Sequence, residues 1–164
     1  MLLALLAAGA VVVLAVMQFA MHPAPAASGS YTATLMIDFG SRTPDLLAGH
    51  IVNWSYDGGW HYTTANSSQT EFIFSNVTFG NNTVWSLMQA CSSILQKTTG
   101  SNLSLTKVHF REFGEFQITA IEGVANTNTL FWQYTVNGQP AQYGVQLEKI
   151  SSGATVYWSM SPDQ

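Results

Sequence analysis

No lysine or arginine precedes Arg42, and the whole 164-residue chain holds only five. Charged residues are 9% of the sequence and the net charge is −4, so the chain has no basic footprint for a phosphate backbone. Nucleic acid is therefore excluded as a partner. A single cysteine, Cys91, excludes an intrachain disulfide framework, and its helical spacing with apolar neighbours makes it a small buried hydrophobe. Catalytic signatures are missing as well. No serine sits in a nucleophile elbow, and His50, His61 and His109 lack metal-motif spacing to another ligand. Glu112 and Glu115 flank Phe113-Gly114, a spacing that suits solvated turn carboxylates better than an acid–base pair. The expectation is a protein that is not an enzyme and uses no cofactor and no metal.

What is present starts with an uncharged run, MLLALLAAGAVVVLAVMQFAM, over residues 1–21. As a helix it would span about 30 Å, the thickness of a bilayer core. Three fates compete for it. A cleaved secretory signal would use the small residues of Ala24-Pro25-Ala26-Ala27, but such signals open on basic residues. A membrane anchor is flanked by basic residues, also missing here. The third fate is the core helix of a filament subunit, trimmed of a basic leader as type IV prepilins are. The segment resembles type IV pilins in class, without the glutamate near the start that bacterial pilins carry. Leu2, Leu3, Leu6, Val11, Val12, Leu14, Val16 and Phe19 would form the filament core, and small residues such as Ala7, Ala8 and Gly9 would allow close packing.

Serine and threonine number 16 each, so the surface is mostly hydroxyl and amide. Five N-x-Ser/Thr sequons, at Asn53, Asn66, Asn76, Asn81 and Asn102, make these asparagines N-glycosylation candidates on an exported chain. Trp54, Tyr56, Trp60 and Tyr62 cluster around the Asp57-Gly58-Gly59 turn signal. They either stack on sugars or subunits at a surface, or close an open edge of the core.

The chain divides into a hydrophobic helix over residues 1–22, a Pro-, Ala- and Ser-rich linker over 23–30, and one domain over 31–164. Alternation predicts strands at Tyr31 to Phe39, Ile51 to Tyr56, Trp60 to Thr64, Glu71 to Phe79, Leu103 to Phe110, Phe116 to Ile121, Leu130 to Val136 and Ala154 to Met160. One amphipathic helix runs from an Asn82 or Thr83 cap to about Lys97, with Gly100 as its stop. The expected class is α+β: a long N-terminal hydrophobic helix, then a mostly antiparallel, β-grasp-like domain with one packed helix.

From Ala33 onward the motifs resemble those of the transcobalamin-like C-terminal domain family, a small module of many bacterial and archaeal surface proteins. The matching pieces are Leu35 to Gly40, Thr83 to Met88, Phe113-Gly114 through Ala125, the WQYTVNGQPA run of Trp132 to Ala141 with Gly144, and Ser152 to Trp158. Residues 41–71 look like an insertion. The resemblance implies surface display. In transcobalamin the module covers one face of a corrinoid, but the helical barrel that completes that site is missing from this sequence. The leading expectation is a structural subunit of an extracellular, pilin-like adhesion filament, a homopolymer with glycosylated domains outside and a membrane stage before assembly. The alternative is a membrane-anchored cell-surface module that binds a glycan or small cofactor.

Overall fold

A computed structural model describes residues 29–42, 44, 51–56, 60–64, 71–110 and 115–162. Ten strands and one helix lie among them: β1 Tyr31–Asp38, β2 Ile51–Tyr56, β3 Trp60–Thr64, β4 Glu71–Phe79, α1 Val84–Thr99, β5 Leu105–Phe110, β6 Glu115–Ile121, β7 Val124–Ala125, β8 Phe131–Val136, β9 Gln139–Pro140 and β10 Ala154–Ser161. Seven strands form one sheet in the order β3-β2-β4-β1-β10-β8-β9, and β5-β6-β7 form a second. The first and last strands pair in parallel at the centre of the large sheet, with Leu35 opposite Val156 and Ile37 opposite Trp158. β4 and β8 flank that pair in antiparallel register.

The period of two decides which face is buried. Leu35, Ile37, Phe72, Phe74, Val156 and Trp158 are all at most 2% exposed and face one way. Their neighbours Thr34, Met36, Asp38, Thr155 and Tyr157 face the other way and are half-buried. Aromatic contacts close the β2 end of the core: the Trp54 ring lies flat on Phe74 at 4.3 Å and edge-on to Phe72 at 5.8 Å. On the opposite face the Tyr157 hydroxyl donates to Asp38 Oδ2 at 2.8 Å. Burial first, then that carboxylate, pushes the phenol up to about 12.

α1 lays Val84, Leu87, Met88, Cys91, Ile94 and Leu95 onto β4 and β1, all buried. Spaced by three and four residues, they form one stripe. Gly100 ends the helix in the left-handed region at φ 81°, its N–H bonded to Gln96 O. Burial pushes the Cys91 thiol well above its ordinary pKa, which keeps it a neutral packing group.

The expected class needs correction. Among the described residues the fold is mostly β-sheet with a single 16-residue helix, and no helix is long and apolar enough to cross a membrane. The hydrophobic helix expected over residues 1–22 lies outside the described residues, so the fold class cannot be headed by it. The sheet is also more mixed than expected, because β1–β10 and β2–β4 are parallel pairs. β2 and β3, within the segment read as an insertion, extend the main sheet from β4.

Candidate functional site

Where β6 of the small sheet approaches β8 of the large one, the two sheets do not close on each other. A cavity of about 400 Å³ remains, within the usual size of a small-molecule site. Phe116 and Ile118 of β6 form one wall, Trp132, Tyr134 and Trp158 of the large sheet form the other, and residues 140–145 form the roof. The alternation of β6 aims Phe116 and Ile118 inward and leaves Gln117 exposed. Behind that wall Phe116 meets the Trp85 ring edge-on at 4.7 Å, and Lys107 Nζ lies 4.7 Å from both ring centroids. This cation–π contact holds the wall from outside.

The roof is tied down at several points. Glu115 Oε2 accepts the Gly144 N–H at 2.8 Å, and Glu148 Oε2 accepts the Tyr143 N–H at 3.1 Å and the Gln142 N–H at 3.3 Å. The Tyr134 hydroxyl donates to Tyr143 O at 2.6 Å. Beyond these ties, Val145 O accepts the Trp85 N–H at 2.8 Å and Glu148 O accepts the Val84 N–H at 3.2 Å. The roof is thus also the cap of α1. A Cβ at Gly144 would meet the Glu115 carboxylate, so any larger residue there has to displace that side chain from its bond to the Gly144 N–H.

Among the described residues Glu115 is the one charged side chain on the lining, and no described lysine or arginine joins it. Burial first, then the nearby Glu148 and Glu115 charges, raises the Tyr134 hydroxyl well above the ordinary tyrosine value, so it stays a neutral donor. Of the three tryptophans buried among the described residues, two have paired indoles. Trp132 Nε1 donates to Val124 O at 2.7 Å, and Trp54 Nε1 donates to Thr98 Oγ1 at 2.9 Å. The third, Trp158, stacks on Tyr134 at 4.7 Å, and its buried Nε1 has no partner among the described residues. Two aromatic walls with Glu115, Gln117, Gln133 and Tyr143 beside them suit holding a molecule. Among the described residues no three His, Cys, Asp or Glu side chains group as metal ligands do.

The residues singled out from the sequence fall elsewhere. Trp54 is fully buried and belongs to the core, which removes it from a surface contact. Tyr56, Trp60 and Tyr62 lie on β2 and β3 at the far end of the large sheet, opposite the cavity. Asn76, Asn81 and Asn102 are exposed and Asn53 is half-buried. Asn76 sits at φ 55° beside a register shift in β4, a backbone that asparagine tolerates. Asn66, Glu112, His50 and the filament-core set Leu2, Leu3, Leu6, Val11, Val12, Leu14, Val16 and Phe19 lie outside the described residues. His61 and His109 are exposed. Glu115, read as a solvated turn residue, is instead half-buried and bonded to the roof. The cavity set itself was hidden in the sequence. Its residues come from β6 of one sheet and from β8, β9 and β10 of the other, and no spacing rule joins Phe116 to Trp158.

Residues 82–161 match the family described as a domain of unknown function, DUF4430. That stretch holds α1, the small sheet, the roof and β8 to β10, which is every element that lines the cavity. Among solved structures, the crystal structure of haptocorrin in complex with Cbi is similar at 16% sequence identity and a TM-score of 0.42. The similarity covers 84% of this chain and 27% of that one, so this chain spans about a quarter of haptocorrin's length. No curated protein matches.

Two outcomes follow from the roof geometry. Gly144→Ala should destabilise the protein by about 1–3 kcal/mol, and by clearly less in a Glu115→Ala background where the collision is gone; denaturant unfolding of the two variants and the double variant measures this. Because the Tyr134 phenol is raised on folding, its contribution is complete below pH ~10 and is lost as pH climbs toward the folded value. Unfolding free energies at pH 8 and 11 should therefore fall less steeply for Tyr134→Phe than for the unaltered chain.

Proposed function

We propose that this domain is a non-catalytic binding module, displayed at the cell surface, whose ligand is a small molecule held between the two sheets. The observation that carries this reading is the cavity itself, with aromatic walls and a roof fixed by Glu115, Glu148 and Tyr134. A site whose walls come from strands and whose roof is tied to a helix terminus is preorganised, so little ordering entropy opposes binding. Tyr143, 59% exposed on the rim, offers a ring that an entering molecule would cover. The low charge and the five sequons support surface display.

We put the binding module ahead of the filament subunit as the reading to test first. Support for polymerisation comes from residues 1–21 alone, whereas the cavity rests on described side chains. The resemblance to transcobalamin-like domains is compatible with a binding role and does not name the ligand.

A fragment screen on the isotope-labelled full-length protein tests the proposal. Hits should shift the amide resonances of Ala141, Gly144 and Val145 together. Ala141→Trp, which fills the rim, should keep the fold and weaken those hits by roughly tenfold or more. Hits that cluster elsewhere, or that bind Ala141→Trp equally well, would contradict it.

A further inference from the structure

Resting on the binding reading, we infer the chemical class of the ligand: a short peptide that lies extended along the free edge of β8 and adds a strand to it. The composition of the lining leads there. It includes consecutive residues of β6, Glu115 to Ile118, and of β8, Trp132 to Tyr134. A wall made from the face of a sheet offers alternate residues, because successive side chains point opposite ways. Gln133 points away from Trp132 and Tyr134; its amide accepts the Ser161 hydroxyl and donates to Pro162 O. Gln117 pairs with Val108 on the face of β6 opposite Phe116 and Ile118. Runs of consecutive lining residues therefore mark strand edges.

The pairing leaves both edges open along these runs. β8 pairs with β9 only at Thr135 and Val136, and β6 pairs with β7 only at Ala120 and Ile121. The Asn137 N–H donates to Thr155 O at 2.8 Å, which turns the backbone groups of residues 133, 135 and 137 toward β10. Trp132 and Tyr134 present theirs to the opposite edge. Two of those four groups are taken: the Trp132 N–H donates to Asn126 Oδ1 at 2.8 Å, and Tyr134 O accepts the Ala141 N–H at 3.1 Å. The Trp132 C=O and the Tyr134 N–H lie between these two bonds, and no described residue pairs with either. One residue of a strand running parallel to β8, set beside Gln133, meets both.

Size and chemistry agree with such a strand. From Trp132 to Tyr134 the edge is roughly 10 Å long, the reach of a tripeptide, and the cavity beside it holds about 400 Å³. In this register the central ligand residue shares the polar face of Gln133. Its two neighbours share the face of Trp132 and Tyr134 and meet apolar walls that include Phe116 and Trp158. Backbone bonds supply affinity in strand addition, and alternate side chains supply specificity. A hydrogen bond made between apolar walls is stronger than one at an edge open to water.

The capped tripeptide acetyl-Val-Thr-Val-amide tests this on the isotope-labelled full-length protein. It should shift the Trp132, Gln133 and Tyr134 amides together and slow hydrogen exchange at the Tyr134 N–H by about tenfold or more at saturation. Methylating the threonine nitrogen removes the donor for Trp132 O and should weaken binding roughly fivefold or more. The swapped peptide acetyl-Thr-Val-Thr-amide should bind roughly threefold more weakly or worse, because it turns its hydroxyls toward the apolar walls. Binding that is indifferent to N-methylation or to the swap, or that leaves Tyr134 exchange unchanged, overturns the inference. Shifts confined to β3 or β5 overturn it too. If screened fragments occupy the cavity and the tripeptide does not, the inference falls and the binding reading stands. If neither moves the cavity resonances, both fail.

Discussion

The first turn of α1 brings four backbone N–H groups that no helical carbonyl can accept. In this protein the segment before β10 satisfies half of that demand. Glu148 O and Val145 O take the Val84 and Trp85 N–H groups, while Thr83 Oγ1 takes that of Ser86 and Asn81 O takes that of Thr83. The Ile150 N–H returns to Asn82 O, and Thr83 bridges to Lys149. A segment without regular structure of its own is thereby made as well placed as the helix it caps. Everything the cavity needs follows from that placement.

The same segment has a second job that conflicts with the first. A loop pinned at the helix could fall into the gap between the sheets and fill it. Glu115, Glu148 and Tyr134 hold it off from the side, and glycine at 144 leaves room for the close approach of Glu115. The gap stays open because its roof is supported at both ends. Two carboxylates bonded to backbone N–H groups, in a chain so poor in charge, fit this account.

Much of the architecture was legible in the sequence. Alternation in Tyr31 to Phe39 and in Val156 to Met160 marks strands because one face is buried, and the three-and-four spacing from Val84 to Leu95 marks the helix. The Asn137-Gly138 pair, at φ 52° and 78°, makes the hairpin turn that its residue types require. Glu122-Gly123, at φ 48° and 75°, makes a similar turn whose signal was only half visible. A glutamate in the left-handed region is tolerated because its buried carboxylate accepts the Ser104 N–H. Other features depend on distant pairing, which no local pattern encodes. β1 meets β10 across the full length of the domain, β2 joins β4 in parallel, and Trp54 becomes core rather than surface. The cavity belongs to the same class, since an unfilled space leaves no mark on the residues that border it. The uncharged run at residues 1–21 drew the functional expectation toward a filament, and the described side chains draw it toward a pocket.

The central claim is that the roof and the helix N-terminus are one cooperative unit. Native-state hydrogen exchange measures this directly. The Gly144 amide, together with the Val84 and Trp85 amides that donate to the roof, should exchange slowly and with one common opening free energy, close to that of global unfolding. Fast exchange at Gly144 while Leu87 and Met88 remain protected would contradict the account, because the roof would then open without the helix.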